Sequence, residues 1–167
     1  MILEELNSLD PNQLKEELAK CCGSSTWVKM VATYFPADSV EDLLEEAEVL
    51  WYECSEDDWK EAFAHHPKIG DVESLAKRFA STAQWASGEQ SGVNAAKSET
   101  IQALAEGNHL YEEKFGYIFI VCATGKSAAE MLAILQTRLN NEPADEIKIA
   151  AAEQNKITKL RLQKLLA

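Results

Sequence analysis

Apolar positions recur along this chain at helical spacing, in blocks set apart by capping side chains, proline and glycine. Asp10 before Pro11 puts a capping carboxylate ahead of a proline in the first turn, and the helix it opens runs to about Gly23. Ser25 or Thr26 caps the next, with Trp27, Met30, Val31, Tyr34 and Phe35 at helical spacing. Ser39-x-x-Asp42 opens a third, with Leu43, Leu44, Ala47, Leu50 and Trp51 on one face, and Ser55-x-x-Asp58 opens a fourth that ends at Pro67. Asp71 starts another, ending near Thr82. Ser87-x-x-Gln90 heads a long helix to about Glu106, and the stretch from Gly107 to Phe115 continues it after a break. Ser127-x-x-Glu130 heads a helix to Asn140, and Pro143 begins a last one that reaches the C-terminus. One run departs from this pattern. Tyr117-Ile118-Phe119-Ile120-Val121-Cys122 has the aromatic and β-branched composition of a strand, but no second such run exists to pair with it. The expectation is an all-α fold: one domain over residues 1–167, a bundle of about eight helices with a buried extended segment at 117–123.

Composition narrows the function. A chain of 167 residues, 46% hydrophobic, with four Trp, four Tyr and five Phe, supports one good core. The formal net charge of −12, with no basic stripe, excludes a phosphate-tracking nucleic-acid binder and disfavours anionic membrane surfaces. An anionic ligand would need a locally positive site that overrules this field. Cys21, Cys22, Cys54 and Cys122 form no CxxC pair and read as reduced thiols. Met1 leads into acidic residues, no apolar run reaches transmembrane length, and the Leu-Leu-Ala end carries no peroxisomal tripeptide, so the expected location is the cytoplasm.

Four short segments could carry chemistry. In His65-His66-Pro67-Lys68-Ile69-Gly70-Asp71, Pro67 forces His66 out of helical geometry, so the imidazoles sit at a rigid helix end. A histidine there can complement the helix dipole or act as an acid and base near neutral pH. In Ser87-Gly88-Glu89-Gln90-Ser91-Gly92, Glu89 lies in a first helical turn, where a carboxylate is favoured for stability alone. Gly125-Lys126-Ser127 precedes a helix and can hold an anion or simply cap it; a phosphate loop is excluded because Ile120 stands where the upstream glycine is required. Arg161 projects from the apolar face of the last helix, between Ile157 and Leu165. It needs an acidic partner, an escape past the edge of that face, or a ligand. No His, Cys, Asp or Glu grouping has the spacing of a metal site, and adjacent His65 and His66 are not a helical metal pair.

Taken together, four elements resemble the OHCU (2-oxo-4-hydroxy-4-carboxy-5-ureidoimidazoline) decarboxylase family. They are His66-Pro67-Lys68-Ile69-Gly70-Asp71; Glu89-Gln90-Ser91-Gly92; Phe115-Gly116-Tyr117-Ile118-Phe119-Ile120-Val121-Cys122-Ala123 with Gly125-Lys126-Ser127; and Ile157-Thr158-Lys159-Leu160-Arg161-Leu162. Order and separation match over nearly the whole chain. The resemblance implies an all-α, cofactor-free and metal-free carboxy-lyase that converts OHCU to (S)-allantoin in urate degradation, acting as a homodimer. It implies His66 as the catalytic imidazole and Glu89 as its acidic partner. It also implies that Pro67, Ser87, Gln90, Phe119, Ile120, Val121 and Arg161 hold the substrate. Two positions depart from the family's pattern: Ala86 stands where many relatives have serine, with Ser87 one place later, and Thr124 where many have arginine. The transthyretin-like hydrolase domain fused to some relatives is not expected within 167 residues. Two other readings compete. One is a non-catalytic helical binding protein on the same fold. The other is a metal-dependent ureide hydrolase, which the lack of a ligand cluster disfavours.

Overall fold

The computed structural model describes residues 1–67, 71–80 and 90–167, with Arg78, Ala80 and 90–97 described by backbone alone. Among the described residues there are nine helices and no strand. In chain order they are α1 (Leu3–Asn7), α2 (Pro11–Cys21), α3 (Ser25–Ala32), α4 (Val40–Glu53), α5 (Glu56–Ala64), α6 (Val72–Ala80), α7 (Gln90–Phe115), α8 (Ala128–Arg138) and α9 (Pro143–Leu165). The all-α expectation holds, and the short helix α1 adds one to the eight expected.

Most helices begin where a short polar side chain precedes the apolar period. Asp10 accepts from the Gln13 amide, Ser39 from Asp42, Ser55 from Asp58 and Ser127 from Glu130; Ser55 and Ser127 complete full capping boxes. The Asp71 carboxylate accepts from the Ser74 amide at 2.6 Å and opens α6. Two expectations need correction. The cap of α3 is Ser24, not Ser25 or Thr26: Ser24 is fully buried and accepts from the Trp27 amide, while the Ser25 hydroxyl is drawn to the Glu61 carboxylate at 3.0 Å. The long helix also does not break at Gly107; α7 runs through it. A Cβ at Gly107 would lie 2.7 Å from Leu135 Cδ2, so the glycine is there to let α8 approach, at a helix-propensity cost of about 1 kcal/mol. The Ser87 cap expected for α7 lies outside the described residues.

The chain divides into two compact units. The first comprises Met1–His66, Ile120–Cys122 and Ile147–Ala167. Its core is Leu6, Leu18, Trp27, Val31, Leu43, Trp51, Phe63 and Leu162, all at most 1% exposed. Buried indoles need acceptors. Trp27 donates to the Ala47 carbonyl at 3.0 Å and Trp51 to the Ala151 carbonyl at 2.9 Å, which ties α4 to α9. The second unit comprises Pro67–Phe119 and Ala123–Glu146. Here α6, α7 and α8 pack around Leu75, Phe79, Ile101, Leu104, Tyr111, Met131 and Leu135.

At the end of α7, Gly116 adopts φ +83°, a left-handed turn that glycine takes without strain, and its amide closes on the Glu112 carbonyl at 2.9 Å. The chain then leaves helical geometry through 117–123. Tyr117, Ile120 and Cys122 are buried, whereas Ile118, Phe119, Val121 and Ala123 are half-buried, so the expected burial applies to part of the segment. Among the described residues no helix is long and apolar enough to cross a membrane, and no disulfide forms.

Candidate active site

The first unit gathers two of the residues singled out in the sequence, His66 and Arg161, about helix α9. Helix α5 ends at Ala64, and the amides of His65 and His66 close on Ala62 and Phe63 at 3.2 and 3.3 Å before Pro67 stops further winding. This corner sits against the chain just beyond α2. A Cβ on Gly23 would lie 2.5 Å from both Cβ and Cγ of His65 and 2.8 Å from its Cδ2. Gly23 is thus required for close approach, while α2 itself ends at Cys21.

From this corner the half-buried His66 places Nε2 2.5 Å from the side-chain oxygen of Gln154. Gln154 is fully buried, and its Nε2 donates to the Thr158 hydroxyl at 3.1 Å. Cys22 carries a thiol that is fully buried. Burial pushes that thiol up to about 12, so it stays protonated. Cys21 and Cys54 are likewise raised by burial, each to about 11, which makes them poor nucleophiles.

Burial is also the largest influence on His66, and it holds the imidazole below its ordinary value of 6.5. The Gln154 hydrogen bond opposes this, whereas the charges of Arg161 and His65 add to it. The ring is therefore neutral at pH 7, able to take a proton and return it. Arg161 lies one turn beyond Thr158 on α9, half-buried, and its Nη1 donates to the Cys21 carbonyl at 3.4 Å, at the carbonyl end of α2. Among the described residues its partner is a carbonyl, not a carboxylate. The positive charge is not neutralised there by an ion pair and can still meet an anion.

The same helix moors part of the extended segment. Glu153 accepts from the Cys122 amide at 3.1 Å and pairs with Lys156 at 2.6 Å, fixing Ile120–Cys122 beside the turn that carries Gln154. Ile120 is buried and Val121 half-buried.

Phe119 belongs to the second unit, where its ring lies 4.7 Å from the Arg138 guanidinium and 5.3 Å from the Tyr111 ring. Arg138 is held by Glu146, which accepts from its Nε at 2.9 Å and its Nη2 at 2.5 Å. The Tyr111 hydroxyl donates to the same carboxylate, and Asn141 donates to its other oxygen at 3.0 Å. Pro67 is exposed. Glu89 and Ser87 lie outside the described residues, and Gln90 begins α7 with its side chain outside the description. The helix end at Ser127, read as a possible anion cradle, is occupied by the chain's own Glu130: the Ser127 hydroxyl donates to that carboxylate at 3.1 Å.

Gln154 and Thr158 were not anticipated. Their signal was present as polar residues at i and i+4 before Arg161 at i+7, one stripe of a helix whose buried neighbours are Ile147, Ala150, Ala151 and Leu162. Among the described residues no three His, Cys, Asp or Glu side chains are grouped to hold a metal ion.

Residues 7–163 match the family model described as OHCU decarboxylase. The chain is 39% identical over 153 residues to "Uric acid degradation bifunctional protein TTL" of Arabidopsis thaliana, covering 92% of this chain and 47% of that protein. It is 38% identical over 103 residues to "2-oxo-4-hydroxy-4-carboxy-5-ureidoimidazoline decarboxylase" of Amia calva, covering 60% of this chain and 57% of that protein. The chain thus spans about half the length of these two curated relatives. Among solved structures it is similar to "Crystal structure of OHCU decarboxylase in the presence of (S)-allantoin", with TM-score 0.72, 39% identity and coverage of 90% of this chain and 97% of that one. A second structure, "Crystal structure of (S)-allantoin synthase", shares the fold at TM-score 0.71 and 16% identity over 98% of this chain and 54% of that one.

Proposed function

Because the chain belongs to the OHCU decarboxylase family, we propose that it converts 2-oxo-4-hydroxy-4-carboxy-5-ureidoimidazoline to (S)-allantoin in urate degradation, with His66 as the acid and base of the reaction. The observation that carries this reading is the half-buried imidazole of His66, set against a wholly buried amide on the helix that also presents Arg161.

The chemistry follows from the substrate. Its carboxylate sits on a hydroxylated ring carbon beside a C=N bond. When the C–C bond to the carboxylate breaks, CO2 leaves and the electron pair moves into the C=N. The ring nitrogen takes a proton, giving an enol. The hydroxyl then gives up its proton, the C–O bond becomes a carbonyl, and the carbon bearing the ureido group gains a proton. The electron sink lies within the substrate, so the reaction as proposed uses neither metal nor organic cofactor.

The protein must place the carboxylate out of the ring plane, move a proton from oxygen to carbon, and deliver it to one face. His66 carries that proton. Arg161 holds ring or ureido oxygens through its two-pronged donor. Glu89 serves as the acidic partner, and Pro67, Ser87, Gln90, Phe119, Ile120 and Val121 border the substrate. The reading extends to a single functional domain over 1–167, to a homodimer and to the cytoplasm, with no nucleic-acid or membrane partner. The acidic charge and the resemblance to the family support these points.

The test is stereochemical, because the substrate also decays unaided to racemic product. Generate it in situ from urate with urate oxidase and hydroxyisourate hydrolase, add the protein, and follow circular dichroism. Rapid appearance of the S enantiomer supports the proposal. Racemic product at the background rate overturns it and favours a non-catalytic helical binding protein.

A further inference from the structure

We infer that Gln154 is a positioning residue that fixes the tautomer of His66, so that Nδ1 is the nitrogen that exchanges protons with the substrate. This rests on the reading of His66 as the acid and base, and it adds to that reading which ring nitrogen works and what makes it so.

Hydrogen-bond direction decides which ring nitrogen carries the proton. Gln154 is 0% exposed, Thr158 4%, and both Ser24 and Cys22 0%, so none of these groups can turn to solvent for a partner. The Thr158 hydroxyl has lone pairs with which to accept, and Gln154 turns its NH2 toward it, at 3.1 Å, and its carbonyl oxygen toward His66, at 2.5 Å. A carbonyl oxygen accepts and cannot donate. His66 Nε2 must carry the hydrogen, and in the neutral ring the lone pair then sits on Nδ1.

The relay also has a rigid origin. Gln154 and Thr158 are one helical turn apart on α9, and α9 is tied to α4 through the Trp51 indole. The charged and titratable groups that act on the ring are Arg161 from α9 and His65 from the corner itself. Both leave the direction of the Gln154 bond unaltered.

The test reads the tautomer directly. In uniformly 15N-labelled protein above neutral pH, long-range 1H–15N spectra separate the proton-bearing ring nitrogen from the one with the lone pair. His66→Ala assigns the signal among the three histidines. The expected result is Nε2–H for His66. Gln154→Glu places a carboxylate against Nε2–H and should move the acid limb of the kcat/KM profile up by about one pH unit or more. Gln154→Leu should cut kcat/KM by about 10–100-fold, the range for removing the hydrogen-bond partner of a metal-bound imidazole. A merely structural glutamine would leave both tautomer and acid limb in place. Detection of Nδ1–H in the wild type overturns the inference, as does an acid limb unmoved in folded Gln154→Glu. If instead His66→Ala keeps stereospecific turnover, the function of His66 is refuted while the tautomer remains readable by the same spectra.

Discussion

Each unit of the molecule buries a set of polar side chains, and the two sets are built on opposite plans. In the second unit Glu146 is surrounded: Arg138, Tyr111 and Asn141 all donate to it. Arg138 also lies over the Tyr111 and Phe119 rings. With 7% and 0% of the side chains exposed, the Arg138–Glu146 pair is closed, and its hydrogen bonds offset the desolvation that a buried charge costs. In the first unit the buried members are neutral: a protonated thiol, a hydroxyl and an amide. The groups that can hold charge, His66 and Arg161, stand at the half-buried edge. Under the proposed function the ionic set serves the fold, while the neutral set ends in a titratable ring that can exchange a proton.

Substitutions in the two sets should have opposite effects. His66→Ala should lower kcat/KM by about 10²–10⁴-fold, the usual contribution of a positioned acid and base, while the thermal midpoint moves little; stopped-flow circular dichroism and calorimetry check both. Glu146→Leu should do the reverse. It strands the Arg138 charge and should lower stability by about 3–5 kcal/mol. The thermal midpoint should fall on the order of 10 °C. The acid limb of the pH profile should stay where it is.

A pair of glycines sharpens the contrast. Gly23→Ala drives a Cβ into His65 and must shift the corner that carries His66, so turnover should fall more than stability. Gly107→Ala meets the Leu135 side chain, at Cδ2 and more loosely at Cγ, so a stability change within about 1–3 kcal/mol and unaltered turnover are expected. The smallest effect concerns pH. Burial lowers the His66 value, so the folded protein binds fewer protons than the unfolded chain below 6.5. The stabilising contribution is fully present above 6.5 and is lost as pH falls through it. Between about pH 7 and about pH 5.5 the thermal midpoint of the wild type should therefore drop more steeply than that of His66→Asn.

What could be read from the sequence depended on whether the signal was local. The caps at Asp10, Ser39, Ser55, Asp71 and Ser127 were legible because a short acceptor side chain just ahead of an apolar period has one good use. Ser24, Ser25 and Thr26 are three hydroxyls in a row, and only the Glu61 carboxylate, which claims Ser25, decides among them. Gly107 looked like a break because a glycine kept for helix packing and one kept for a turn are identical in sequence. The five-residue helix α1 is too short to show a period. At the site, His66 and Arg161 could be found alone, one through the proline behind it and the other through its place on an apolar face. Gln154 could not, since its role exists only once α9 meets the end of α5. The Arg138–Glu146 pair was invisible for the same reason: the two lie on different helices, and only the fold brings them together.

The most direct test of the account is the enantiomeric composition of allantoin formed from OHCU by His66→Asn, with the folded protein matched to wild type by calorimetry. With His66 as the proton carrier, the wild type gives single-enantiomer product and the variant racemic product at the uncatalysed rate. Single-enantiomer product from the variant at an undiminished rate would contradict it, because the proton would then reach its carbon without the imidazole.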